Sequence, residues 1–190
     1  MEKIIQDEIN ESIAVKQRVL RELTPKIKKF AEMGVNAYKN NGRLIIFGNG
    51  GSAADAQHLV GELVNKFYFD RPMIDALALT VNTSVLTAIA NDSSYDNIFS
   101  RQIESLVNKK DIVVGISTSG NSVNIINGLL KAKEKGVKTV GMTGETGGKM
   151  KEIVDLLINV PSDITPRIQE AHIMIGHIIC GIVEKELFGK

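Results

Sequence analysis

The chain has no tryptophan, one cysteine, four prolines and three histidines in 190 residues. With Cys180 alone, no intramolecular disulfide can form, so the fold rests on packing and a reducing compartment suits it. Cys180 lies in an apolar helical stretch and reads as a small core residue rather than a nucleophile. Lysine and arginine number 23 against 22 acidic residues, with no long basic block and no basic stretch interleaved with aromatics. The electrostatic footprint of nucleic-acid binding is therefore missing. The longest apolar stretch is broken by His177 well short of a membrane span, and the start Met1-Glu2-Lys3-Ile4-Ile5-Gln6-Asp7-Glu8 is too acidic and polar for a secretory signal. A cytoplasmic protein with no membrane and no nucleic-acid partner is expected. Nucleotide motifs are missing too. No G-x-x-x-x-G-K-[ST] occurs, and G-x-G-x-x-G fails at Ala53, which weakens P-loop and dinucleotide readings together.

What is present is 43% apolar content, enough for one well-buried α/β domain and little for two. Apolar positions at helical spacing over Ile4–Leu20, then Thr24-Pro25 as N-cap and N1 of a second helix to about Tyr38, predict a helical arm over residues 1–40. An α/β core over 41–190 follows. Its strands are expected at Leu44–Phe47, Ala76–Leu79, Ile112–Ile116, Thr139–Met142 and Leu156–Val160. Helices are expected at Ser52–Lys66, Asn82–Ala90, Asn97–Val107, Val123–Lys135, near Lys149 and at Pro166–Leu187. Short apolar strands separated by helices imply right-handed crossovers and a parallel sheet of about five strands with helices on both faces. The arm carries more apolar surface than a lone surface helix needs; packing on another subunit and packing on its own domain both account for it.

Two glycine- and serine-rich loops follow the first and third strands: Gly48-Asn49-Gly50-Gly51-Ser52-Ala53 and Ser117-Thr118-Ser119-Gly120-Asn121-Ser122. Each opens a helix, whose unpaired N–H groups and positive dipole end suit a phosphate. Hydroxyls add donors, and glycine permits close approach to an anion. One such loop alone is equally a plain strand-to-helix turn; two together favour a small phosphorylated ligand. Ligands of such sheets bind beyond the carboxyl ends of the strands, where both loops fall. All three histidines lie on two helices. His58 and Glu62 are spaced i, i+4 on one helix face, which allows a shared metal ion or a surface hydrogen-bonded pair. His177 reads either as a buried, satisfied histidine or as a general acid/base, and Glu62 as a solvated residue or a base.

Four segments in order, Gly48 to His58, Leu86-Thr87-Ala88-Ile89-Ala90-Asn91-Asp92, Gly115 to Ser122, and Arg167-Ile168-Gln169-Glu170-Ala171-His172, resemble those of the phosphoheptose isomerases of the sugar isomerase (SIS) fold. The resemblance spans essentially the whole chain. It implies a three-layer SIS fold and isomerisation of sedoheptulose 7-phosphate to D-glycero-D-manno-heptose 7-phosphate, the first step toward the ADP-heptose of lipopolysaccharide. It also implies a cytoplasmic homotetramer with one Zn2+ per subunit. By matching position, Ser117, Thr118, Ser119 and Ser122 would hold the phosphate, while Asn49, Gly50, Gly51, Ser52, Glu62, Asn91, Asp92 and Gln169 would bind the rest of the substrate. His58, Glu62, Gln169 and His177 would be the zinc ligands, with Glu62 and His177 the acid/base pair. Gln169 and His177 stand about 12 Å apart along an ideal helix, which calls for a distorted first turn or a site built from more than one subunit. The competing expectation is a non-catalytic SIS tetramer serving as adaptor for the replication initiator; that class resembles the isomerases but loses the residues at positions 62 and 177, both retained here.

Overall fold

The computed structural model describes residues 1–189. A single long helix, α1 (Glu2–Lys39), leads into β1 (Leu44–Gly48), α2 (Gly51–Val64), β2 (Ala76–Ala78) and α3 (Thr83–Asp92). A 3₁₀ turn at Tyr95–Asn97, α4 (Ser100–Leu106), β3 (Ile112–Ile116), α5 (Val123–Glu134) and β4 (Lys138–Thr143) come next. A second 3₁₀ segment (Gly148–Glu152), β5 (Leu156–Asn159) and α6 (Thr165–Phe188) complete the described chain. The five strands form one parallel sheet in the order β2-β1-β3-β4-β5. The expected α/β fold with helices on both faces is therefore the observed one.

Strands β1 and β3 are buried along their whole length, which is why they read as continuous Ile, Leu, Val and Phe rather than as alternating patterns. One face of the sheet packs against α1, α2 and α6, through residues such as Phe30, Leu59, Leu63 and Ile175. The other packs against α4 and α5, where Phe47 stacks on Phe99 with ring centroids 4.8 Å apart. Full burial of such side chains is worth about 1.5–3 kcal/mol each. Asp111 ties the start of β1 to β3 by accepting the backbone N–H groups of Arg43 (3.0 Å) and Asn108 (2.8 Å).

The N-terminal region departs from the expectation of two helices: α1 runs unbroken through Thr24 and Pro25. Its buried stripe, Val15, Val19, Leu23, Ile27, Phe30, Ala31, Gly34 and Ala37, keeps helical phase across the proline. Pro25 itself is exposed, so the carbonyl it leaves without an N–H can be met by water. Thr24 is no cap; its hydroxyl donates back to the Leu20 carbonyl at 2.6 Å. Burial of the stripe outweighs the local stop signal. Only the first three turns stand clear of the core, which makes α1 less an arm than a core helix with a protruding end.

Pro25→Ala restores one helical hydrogen bond at an exposed position. We expect it to raise the free energy of unfolding by about 1–3 kcal/mol, read from chemical denaturation. An unchanged or lowered midpoint would mean that proline at position 25 is itself needed for the packing of α1.

Candidate active site

Because β1 pairs directly with β3, with Gly48 opposite Ile116, the two glycine- and serine-rich loops leave the sheet side by side at its carboxyl edge. The chain runs from β1 outward to β2 and returns across β1 to β3, so the crevice between them is where the winding of the sheet reverses. Asn49 in the first loop and Asn124 at the start of α5 join the two loops by exchanging side-chain amide hydrogen bonds of 2.9 and 2.8 Å. The Tyr95 hydroxyl donates to the same Asn49 oxygen at 3.2 Å. Neither Asn124 nor Tyr95 was picked out from sequence. Asn124 lies only two residues beyond Ser122, so extending the loop motif into the first turn of its helix would have found it.

In the second loop the hydroxyl of Ser117 lies 3.0 Å from that of Ser122 and 3.5 Å from that of Ser119. Three expected phosphate ligands thus converge on one point at the N-terminus of α5. Gly120 turns the loop with φ +66°, and a methyl group there would strike the Gly147 carbonyl oxygen. Thr118 belongs to the same loop, and its carbonyl receives the Gly144 N–H at 2.8 Å. In the first loop Ser52 is buried, whereas Gly51 abuts α6: a methyl added there would lie 2.7 Å from Gln169 Nε2. Gln169 is thereby placed with the glycine loop. Asn91 and Asp92 lie exposed at the end of α3, and Asn91 Nδ2 donates to Asp92 Oδ1 at 2.8 Å. Within one chain these two are not joined to the other site residues by any hydrogen bond among the described residues.

Helices α2 and α6 run side by side in the same direction. Gly51 faces Gln169, Leu59 faces Gly176, and the end of α2 lies near Glu184. A methyl group on Gly176 would come within 2.5 Å of Leu59, so glycine sets this close approach. One residue from that contact on each helix are His58 and His177. Their Nε2 atoms are 2.8 Å apart, and His58 Nε2 is 3.2 Å from Glu62 Oε1. The ligand atoms of His58, Glu62 and His177 all lie within 4.8 Å of one another. Donors around a tetrahedral zinc with bonds of ~2.0–2.1 Å stand on the order of 3.3 Å apart, so a two-histidine, one-carboxylate set of this spacing fits the ion and leaves a fourth position open. His58 is half exposed, and His177 is not the buried histidine that one sequence reading allowed. Helix α6 is regular from Thr165, so Gln169 gains no distorted first turn and stays about 12 Å from His177 along the axis.

One turn before His58, Asp55 Oδ2 is buried without a hydrogen-bond partner. Burial pushes this carboxyl above its ordinary range, and the charge of His58 opposes that shift. The buried histidine is His172, whose Nε2–H donates to the Thr143 carbonyl at 3.1 Å while Nδ1 finds no partner. Burial drives its pKa down to about 4, against a smaller opposing effect of the hydrogen bond.

A doubly wound sheet with two polar loops at its switch point and a metal-competent cluster of two histidines and a carboxylate fits a sugar-phosphate enzyme of the SIS class. In agreement, residues 9–144 match the SIS domain. The chain is 53% identical over 191 residues to the phosphoheptose isomerase of Sulfurimonas denitrificans, covering 100% of this chain and 98% of that protein. Among solved structures, it resembles the phosphoheptose isomerase of Neisseria gonorrhoeae with a TM-score of 0.91 and 38% identity over 97% of this chain and 98% of that one. The corresponding values for the Francisella tularensis phosphoheptose isomerase are 0.93 and 34%, over 96% and 97%. The chain belongs to the phosphoheptose isomerase family and is a sugar-phosphate isomerase. Each of these relatives is named a phosphoheptose isomerase, so the adaptor expectation finds no support among them.

Two outcomes are expected. Gly120→Ala should destabilise the fold by about 1–3 kcal/mol and weaken phosphate binding, because backbone and not a side-chain tip blocks the methyl; unchanged stability and affinity for inorganic phosphate, measured by calorimetry, would contradict the loop assignment. For His172, the depressed folded pKa means that its stabilisation is complete above the unfolded value near 6.5 and is lost as pH falls toward 4. The loss is on the order of 3 kcal/mol. His172→Gln keeps a donor to Thr143 and should show a shallower fall in stability between pH 7 and 4.5 than the parent chain.

Proposed function

We propose that the protein converts sedoheptulose 7-phosphate to D-glycero-D-manno-heptose 7-phosphate through an enediol. The observation that carries this reading is the cluster of His58, Glu62 and His177, with His58 and Glu62 on the helix that opens from the glycine loop and that loop leaving the sheet beside the hydroxyl-lined one, on a chain that is a phosphoheptose isomerase by family. The serine loop holds the phosphate through Ser117, Thr118, Ser119, Ser122 and the opening of α5. Asn49, Gly50, Gly51, Ser52, Asn91, Asp92 and Gln169 supply donors and acceptors for the sugar hydroxyls. From Gly51 to His58 the helix rises about 10 Å, a span of the order of an extended seven-carbon sugar phosphate.

In the ketose, Glu62 removes a proton from C1 and returns it to C2, while His177 carries a proton from O1 to O2, so that C1 ends as the aldehyde. Carboxylate oxygen Oε1 of Glu62 faces His58, which leaves the second oxygen to take the carbon-bound proton. His58, Glu62 and His177 would hold Zn2+, whose chemistry when bound is to polarise the substrate carbonyl. Gln169 acts here on the sugar; as a metal ligand alongside His177 it would have to reach across a subunit boundary. A homotetramer is part of the same reading. It is supported by the exposed stripe Ile5, Ile9, Ile13 and Leu20 on α1, and by Ile178 beside the groove between α1 and α6. The product would feed ADP-heptose synthesis in the cytoplasm.

The test is turnover of sedoheptulose 7-phosphate in D₂O followed by proton NMR. We expect deuterium at C2 of the aldose, a drop in kcat of about 10²–10⁴ for Glu62→Gln, and loss of activity with chelator that added zinc restores. Absence of turnover by the intact protein would overturn the reading in favour of a binding-only adaptor.

A further inference from the structure

The cluster draws its members from two helices, so its geometry depends on whatever holds α6 against α2. Below the Leu59–Gly176 contact lies a buried ion pair that the proposed chemistry does not use: Arg71 and Glu184, with side chains 1% and 0% exposed and Nε 2.9 Å from Oε1. Arg71 belongs to the irregular segment between α2 and β2. Glu184 is two turns beyond His177 on α6, on the same stripe of that helix.

Their hydrogen bonds run to the functional elements. Arg71 Nη2 donates to the carbonyl of Glu62 itself at 2.9 Å. Its Nη1 donates to the carbonyls of Leu63 (2.7 Å), Asn65 (3.0 Å) and Pro72 (3.1 Å). The guanidinium thus meets carbonyls that the end of α2 leaves without intrahelical partners. Glu184 accepts the backbone N–H groups of Phe67 at 2.8 Å and Tyr68 at 2.7 Å. Held in this way, the Phe67 ring packs on His177 with centroids 5.6 Å apart and planes inclined by 30°. A methyl group on Gly181 would lie 2.8 Å from the Tyr68 ring, so a small residue there makes room for the segment.

We propose that Arg71 and Glu184 are positioning residues of the site: together they set the end of α2 beneath Glu62 and, through Phe67, the ring of His177, and so hold the His58–Glu62–His177 cluster in metal-binding geometry. Every polar atom of the arrangement has a defined partner, and replacing one member changes the arrangement specifically. Lysine at position 71 keeps the charge but lacks the planar fork that serves several acceptors at once. Glutamine at 184 turns one acceptor oxygen into a donor facing an N–H. This inference rests on the cluster being the metal and acid/base site.

The experiment uses the full chain with Arg71→Lys, Glu184→Gln and the milder Phe67→Leu, each first checked for folding and oligomeric state against the parent. Cobalt(II) titration followed by its visible spectrum, zinc affinity by competition with a chromophoric chelator, and kcat and KM are then measured. Folded variants are expected to bind metal at least tenfold more weakly, with an altered cobalt spectrum, lowered kcat and KM within about twofold of the parent. Should the ion-pair variants fail to fold, Phe67→Leu decides by the same readouts. Metal affinity, spectrum and kcat all within twofold of the parent would overturn the inference while leaving the site reading intact. Failure of the parent to bind cobalt or zinc at all would overturn the metal reading; the inference then stands only if the variants shift the His177 ring signals in NMR, and falls if they do not.

Discussion

The pairing of β1 with β3 is the constraint on which the rest of the molecule depends. Its register, Leu44 opposite Ile112 through Gly48 opposite Ile116, brings two loops 69 residues apart in sequence to one edge of the sheet. A slip of one residue would turn every buried side chain of a strand to the other face. Both strands are buried on both faces, so the penalty for a slip falls on both layers of helices. That is how a fully apolar sheet holds a polar site at fixed geometry: the loops are free to carry serines and asparagines because the strands beneath them are not free to move.

A second constraint acts between helices. The absence of a side chain at Gly176 lets α6 approach Leu59 on α2, and that approach brings the two imidazoles of His58 and His177 to within 2.8 Å. With the carboxylate of Glu62 beside them, the two ring nitrogens form a donor set of the kind that holds a cation. Arg71 and Glu184 close the same helix pair from below. Breaking a buried pair by removing one partner costs about 3–5 kcal/mol because the other charge is left uncompensated. Burial opposes ionisation of Glu184, but the N–H groups of Tyr68 and Phe67 and the Arg71 guanidinium outweigh it and hold the carboxyl below the usual carboxylate range. The charged arrangement is therefore the stable one at neutral pH.

Chemistry of this kind divides the chain between rigid and adaptable parts. The metal-competent His58, Glu62 and His177 sit on two packed helices, where distances are set by backbone approach. The serines and asparagines sit instead on loops and on α3, which has no buried residue of its own and leaves Asn91 and Asp92 exposed. His58 is half exposed, so the cluster opens to the surface of the chain.

Much of this could be read from the amino acids alone. Strand runs such as Ile112–Ile116, loop chemistry at Gly48–Ala53 and Ser117–Ser122, and the i, i+4 pair His58–Glu62 are local features, and local spacing specifies them. The strongest local signal that misled was Thr24-Pro25, a good helix start that became the middle of α1, because a buried stripe of eight residues outweighs one missing hydrogen bond. Strand order, the meeting of His177 with His58, the Asn49–Asn124 bridge and the Arg71–Glu184 pair lay beyond any sequence window. Arg71 stands in an irregular segment and Glu184 in the apolar run Ile182-Val183-Glu184, and no local spacing links the two. Composition and periodicity determine which segments are helices and strands, since those depend on neighbours within a turn. Which side chains face one another across 119 residues is decided by how closely two helices can approach, and that depends on the whole packed core.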